Sequence, residues 1–243
     1  MAPITLSSFV IIGFAAAIHA SLQLSLSMLT LLSGHALGKK TRHMKLLRLI
    51  HSFTLGVALL TILLLSAITY YLHMAISSIM DEQFVAAIIS GLLVGMGIAT
   101  WALYYRQQGG TILWLPRAMA TFLTKRSKAT QSSAESFSLG MMSVIAELLF
   151  IIAPLLAASL SILTLHSAEL QLLGIVSYGI IALLPLGIIT VLVGSGHNIA
   201  QIQQWRERHK RFLQFAAGGC LIILAAFVFV DRVVGITTYG GVW

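Results

Sequence analysis

The chain has 243 residues, 58% of them hydrophobic and 9% charged, a composition that excludes an ordinary soluble domain and identifies an integral membrane protein. Its net charge of +8 does not argue for nucleic acid: every Lys and Arg except Arg232 lies in or beside three connections between apolar segments, where anionic lipid headgroups are the expected partner. The single cysteine, Cys220, excludes an intrachain disulfide and a CxxC redox pair.

Six segments are apolar over the length of about 20 residues that a helix needs to cross a bilayer: 5–33, 47–73, 83–105, 137–165, 170–194 and 212–234. They are continuously apolar rather than alternating, which excludes a membrane barrel. The expected fold is an all-α polytopic membrane protein, six transmembrane helices forming two inverted three-helix repeats. Residues 1–105 make the first half, 106–136 a cytoplasmic linker and 137–243 the second half.

The first segment has no Lys or Arg before it and is too long for a signal-peptide core, so it reads as retained. It carries "GFAAAIHASLQLSLS" at 13–27, with His19 near its middle. Ala16, His19, Gln23 and Ser27 fall on one helical stripe. In the second segment His51 lies about one turn inside, near basic residues. Gly91 and Gly95 in the third segment, and Gly218 and Gly219 in the sixth, read as close-packing positions.

The linker opens with "TILWLPRAMATFL", containing Trp114 and Arg117, which is expected to lie along the membrane interface as a short amphipathic helix. It closes with the polar run "TKRSKATQSSAES", a linker with a helix-start signal at Ser133 or Ser136. The fourth segment holds Glu147, the one carboxylate well inside a span, on a stripe with Gly140, Ser143, Pro154 and Ala158. Pro154 and Pro185, in the fourth and fifth segments, are helix-bending candidates. Tyr178 and Asn198, on the fifth segment and at its end, are pathway candidates of lower rank, since such residues are more often satisfied interior or interfacial groups.

The three basic connections alternate with connections that carry no Lys or Arg. The positive-inside rule then places them in the cytoplasm and both termini outside, in a plasma (inner) membrane. Three spans per half make the halves enter the membrane in opposite directions, the arrangement of an inverted repeat. A weak internal similarity agrees: aligning Gly13 with Gly140 pairs Ile18 with Ile145 and leaves His19 and Glu147 one position out of register.

Glu147 lies roughly 15 Å into its span, and His19 midway along the first, so both are expected near the bilayer midplane with the first and fourth spans packed together. His19, Gln23 and Glu147 are therefore candidate substrate- or ion-binding residues, and His19 and Glu147 candidate metal ligands. The bland reading stays open beside this one: amide and imidazole groups that only bond across a helix interface, and a carboxyl that only packs.

No phosphate loop, nucleophile elbow or HExxH pattern appears, so the chain is not read as an enzyme and any work is driven by an ion gradient or the substrate's own gradient. No cofactor is assigned. A haem carrier would need two histidines facing one group, and His19 and His51 differ in depth.

Five stretches carry a family resemblance: "GFAAAIHASLQL", "SFTLGVALL", "SFSLGMMSVIAELLFIIAPLLAAS", "YGIIALLPLGIIT" and "WRERHKRFLQFAAGGCLIIL". With six spans, the chain resembles the LysE and DsbD/CcdA superfamily over nearly its whole length. The resemblance implies two inverted three-helix halves whose first helices meet at a central site, used in related branches to export amino acids or metal cations. The thiol-carrying branch has cysteines in the first and fourth spans; this chain has none there, so electron transfer is not implied. The resulting expectation is a small transporter exporting a cation or small polar metabolite, acting alone, as a homo-oligomer or with a partner subunit. The alternative is a non-transporting membrane subunit or assembly factor with a structural polar core.

Overall fold

The computed structural model describes residues 2–23, 29, 32, 43–78, 80–103, 117–195 and 208–235. Its helices are α1 (Ala2–Leu22), α2 (His43–Ser78), α3 (Glu82–Leu103), α4 (Arg117–Ala129), α5 (Ser133–Leu163), α6 (Ala168–Gly194) and α7 (Lys210–Phe229), the last continuing as a π-helical turn over Val230–Val234. All but α4 are long and apolar enough to cross a membrane. Ser27, Trp114 and Asn198 lie outside the described residues.

Two boundaries differ from expectation for local reasons. Helical geometry in the first span stops at Leu22 and Gln23 is non-helical; Leu29 and Leu32 are again helical and buried. The Ser21 hydroxyl donates to the Ile18 carbonyl at 2.7 Å, the kind of side-chain competition that weakens a helix end. His19 therefore sits in the last turn of α1, not midway along a continuous helix. Likewise, residues 124–129 of the supposed polar linker belong to α4, where Leu123 and Ser127 are buried. Lys125, Arg126 and Lys128 are good helix formers, and the last two complement the C-terminal end of the helix dipole.

The fourth span starts from Ser132 rather than from Ser133 or Ser136. The Ser132 hydroxyl accepts from the Glu135 backbone N–H at 3.2 Å, and the Glu135 carboxylate accepts from the Gln131 and Ser132 N–H groups at 2.8 and 3.3 Å. This reciprocal capping box satisfies donors that a helix start leaves open. Ser136 is already inside the helix, and its hydroxyl donates to the Leu49 carbonyl of α2 at 2.7 Å.

The main packing pairs are α2 with α5, α3 with α7, α1 with α5, α1 with α6 and α2 with α6. Each joins one half of the chain to the other. Among the described residues, no two of α1, α2 and α3 share an extensive contact, so the first half has no core of its own. The α5 helix is the hub, touching α1, α2, α3, α4 and α6. It runs on through Pro154, as α6 does through Pro185.

Backbone contact sets the α2–α5 crossing. A β-carbon on Gly56 would overlap the Phe137 carbonyl, and one on Gly140 would overlap the Phe53 carbonyl. The α3–α7 pair uses the same device at Gly97 and Gly218, with Trp101 stacked on Phe215 at 5.4 Å and donating to the Phe215 carbonyl at 3.0 Å. Gly219 makes only an ordinary contact with Trp101. Gly91 and Gly95, expected to pack closely, instead face outward with open space where a β-carbon would go. Small-residue spacing is the same on an inward and an outward helix face, which is why the pattern alone misplaced them.

Gly56→Ala and Gly140→Ala are each expected to lower stability in detergent by about 1–3 kcal/mol, because the helices must separate. Gly91→Ala and Gly95→Ala should be neutral or stabilising by up to about 1 kcal/mol, since only helix propensity changes. Denaturant titration of the four variants checks the contrast.

Candidate functional site

Where the first span breaks, α1 presents two buried polar side chains to α6. The His19 Nδ1 and Tyr178 hydroxyl are 2.8 Å apart, with ring centroids at 5.7 Å. The Gln23 amide nitrogen donates to the Ala182 carbonyl at 2.8 Å. Both contacts span 159 residues, so α1 and α6 run parallel, as the first and fifth of alternating spans must. Pro185 brings no N–H to α6 and crowds the turn before it, and the carbonyl that Gln23 takes up belongs to that turn.

Each of these side chains keeps one atom unused. His19 Nε2 and Gln23 Oε1 have no hydrogen-bond partner, and both residues are 0% exposed. A buried polar atom left unsatisfied costs about 1–3 kcal/mol, and hydrocarbon offers no water to relieve it. The amide orientation of Gln23 follows from its bond to a carbonyl, which makes Oε1 a free acceptor. At His19 the tautomer decides: if the Tyr178 hydroxyl donates to Nδ1, Nε2 carries a proton; if it accepts from Nδ1–H, Nε2 offers a lone pair. With a lone pair on Nε2 the two atoms suit a cation or a group that brings donors; with Nε2 protonated they suit a group that offers one acceptor and one donor.

Glu147 reaches the same region from α5. It is 0% exposed, on the helix that packs against both α1 and α6. His19 and Glu147 are not hydrogen-bonded to each other, since Nδ1 is taken by Tyr178 and Nε2 has no partner. The structure thus gathers His19, Gln23, Glu147 and Tyr178 at the junction of α1, α5 and α6, raising Tyr178 from a secondary candidate to the residue that orients the imidazole. His51 is exposed on α2 and takes no part. Among the described residues, no three His, Cys, Asp or Glu side chains converge to hold a metal, so His19 and Glu147 lack a third such ligand.

A second polar cluster closes the end of the bundle that carries the start of α1. Arg232, in the π-helical turn after α7, is 4% exposed and donates to the Ser8 hydroxyl of α1 at 2.7 Å. Ser8 in turn meets the Thr164 hydroxyl at the end of α5 at 3.0 Å. Asp231 pairs with Arg232 at 3.0 Å, and Glu82 at the start of α3 adds electrostatic support. Three spans are tied at one level by hydrogen bonds. Neither polar stripe anticipates this cluster. The signal is that Arg232 is the one Lys or Arg outside the basic connections, and an ionisable residue in a span needs a reason to be there.

Tyr178→Phe is expected to destabilise the protein by about 1–3 kcal/mol, because both imidazole nitrogens are then unpartnered, whereas the double variant His19→Leu/Tyr178→Phe should recover much of that loss. Asp231→Ala, which leaves the Arg232 charge buried without its partner, should cost on the order of 3 kcal/mol, and Arg232→Met less. Unfolding of the four variants in one detergent tests both orderings. No family model, no curated protein and no solved structure matches this chain.

Proposed function

We propose that the protein is a small transporter of the plasma (inner) membrane, exporting a cation or small polar metabolite by alternating access around His19, Gln23, Glu147 and Tyr178. The observation that carries this reading is the pair of buried, unpartnered atoms, His19 Nε2 and Gln23 Oε1, at a break in a transmembrane helix. Interrupted spans with unused polar groups near a bundle axis are how secondary transporters make room for a solute inside hydrocarbon. The basic connections lie in the cytoplasm and both termini outside, as positive-inside asymmetry directs.

The packing pattern supports an inverted repeat. Exchanging α1 with α5, α2 with α6 and α3 with α7 sends the α1–α6 contact onto the α5–α2 contact, and α1–α7 onto α5–α3. The pairs α1–α5, α2–α6 and α3–α7 map onto themselves. Such a pairing lets one half rock against the other while the residues at the α1–α5 junction stay central. The Arg232–Ser8–Thr164 contacts then close one mouth, and the LysE and DsbD/CcdA resemblance points to the same scaffold.

One observation favours the competing reading of a non-transporting subunit: His19, Gln23 and Glu147 are all fully buried, as a purely structural polar core would be. A ligand panel separates the two. The purified protein is heated with divalent cations, amino acids and other small polar solutes, alongside Glu147→Gln and His19→Ala. A solute at 100 times its dissociation constant should add about 2.7 kcal/mol to the parent. Stabilisation by one solute class, absent from both variants, supports the transporter. No response to any solute, with both variants merely weaker than the parent, supports the subunit.

A further inference from the structure

Away from the central site, α4 and the first turns of α5 enclose a groove of about 470 Å³. Its floor is apolar, built by Phe122, Leu139 and Met142, and its rim is polar, with Arg126, Thr130 and Ser138. We propose that this groove binds an anionic glycerophospholipid, with the phosphate on Arg126 and the first methylenes of an acyl chain over Phe122, Leu139 and Met142. The proposal needs only that the chain is inserted in a membrane and holds whether or not it transports.

Depth is the first argument. From the Ser132 cap to Met142 the groove descends about 15 Å along α5, the distance from the headgroup layer into the hydrocarbon. Charge is the second. α4 carries Lys125, Arg126 and Lys128 in its last turns and has no acidic residue. The one acid lining the groove, Glu135, has its carboxylate engaged by the Gln131 and Ser132 N–H groups. The Arg126 guanidinium lies 6.0 Å from the Phe122 ring centre, which brings cation and apolar surface together. A guanidinium suits a phosphate diester, which it can hold with two parallel hydrogen bonds.

The apolar floor decides between sources of that phosphate. A free anion would leave Phe122, 46% exposed, and the Met142 side of the groove uncovered. A zwitterionic lipid would bring a second charge that the Lys125–Lys128 surface repels. An anionic phospholipid satisfies both parts, and such lipids are abundant in the leaflet to which basic connections point. Bound there, it fills the angle between α4 and α5, the helix on which the bundle is centred.

The test uses the full-length protein in detergent, titrated with phosphatidylglycerol, phosphatidylcholine or inorganic phosphate, with melting temperature and lipid retention in native mass spectrometry as readouts. Phosphatidylglycerol is expected to raise the melting temperature more than phosphatidylcholine, and phosphate to do nothing. Arg126→Gln should weaken phosphatidylglycerol binding about tenfold, the loss of one charge-assisted contact. Ser138→Phe, which fills the groove and keeps the charge, should abolish the preference. Lys128→Gln removes the same charge from a position off the groove and should leave the preference intact. Equal losses in Lys128→Gln and Arg126→Gln would reduce the effect to general surface charge and overturn the site. An unchanged preference in Arg126→Gln, or a phosphate response equal to that of phosphatidylglycerol, would overturn it too.

Discussion

Two helices crossing in lipid gain little from burying apolar side chains against each other, because the acyl chains they displace are equally apolar; close approach and dispersion have to hold them. The α2–α5 crossing meets that condition with Gly56 against the Phe137 carbonyl and Gly140 against the Phe53 carbonyl. Everything else is arranged around α5. Once α2 is locked to it, α5 still offers faces to α1, α3, α4 and α6, and among the described residues α1, α2 and α3 share no extensive contact with one another. The halves are therefore held together by contacts between them.

The same lack of water makes each interior polar group a statement about its partner. The hydroxyls of Thr61, Ser127 and Ser159 and the amide nitrogen of Gln214 are buried without a hydrogen-bond partner. Other threonines donate to the carbonyl one turn back, as Thr69 does to Leu65 and Thr190 to Leu186. Arg232 is buried with a carboxylate beside its Nε, which makes no hydrogen bond, and a hydroxyl at 2.7 Å from its terminal nitrogen. His19 and Gln23 are each held by one atom and left open at the other.

Much of this was legible in the residues themselves. Six spans follow from hydropathy, and the placing of His19, Gln23 and Glu147 inside the bundle follows from the expense of polar groups in lipid. The break at Gln23 was not legible, because serines and glutamine continue a helical stripe as readily as they end it. The partnership of His19 with Tyr178 depended on knowing that the first and fifth spans are neighbours, which periodicity does not report. Gly91 and Gly95 advertised a contact surface that the fold turns outward, while Gly56, which shares the tightest approach with Gly140, looked unremarkable in "SFTLGVALL". The polar character of 124–129 resembled a linker because a short helix packed on one side needs only a narrow apolar edge, here Leu123 with the buried Ser127.

A repeat hidden in the sequence explains why Gly56 sits where it does. The pattern Ser-Phe-x-Leu-Gly occurs at 52–56 and again at 136–140, and these two copies are the surfaces that meet. The second and fourth spans cross the membrane in the same direction, so α2 and α5 are parallel and are not counterparts in an inverted repeat. Their matching sequences instead create reciprocal contacts, Phe53 to Gly140 and Phe137 to Gly56, like those of an isologous interface in a symmetric dimer. Each copy supplies both the glycine that admits a carbonyl and the carbonyl that fills the partner's gap. Because both contacts sit at one crossing, a side chain added to either glycine pushes the helices apart at both.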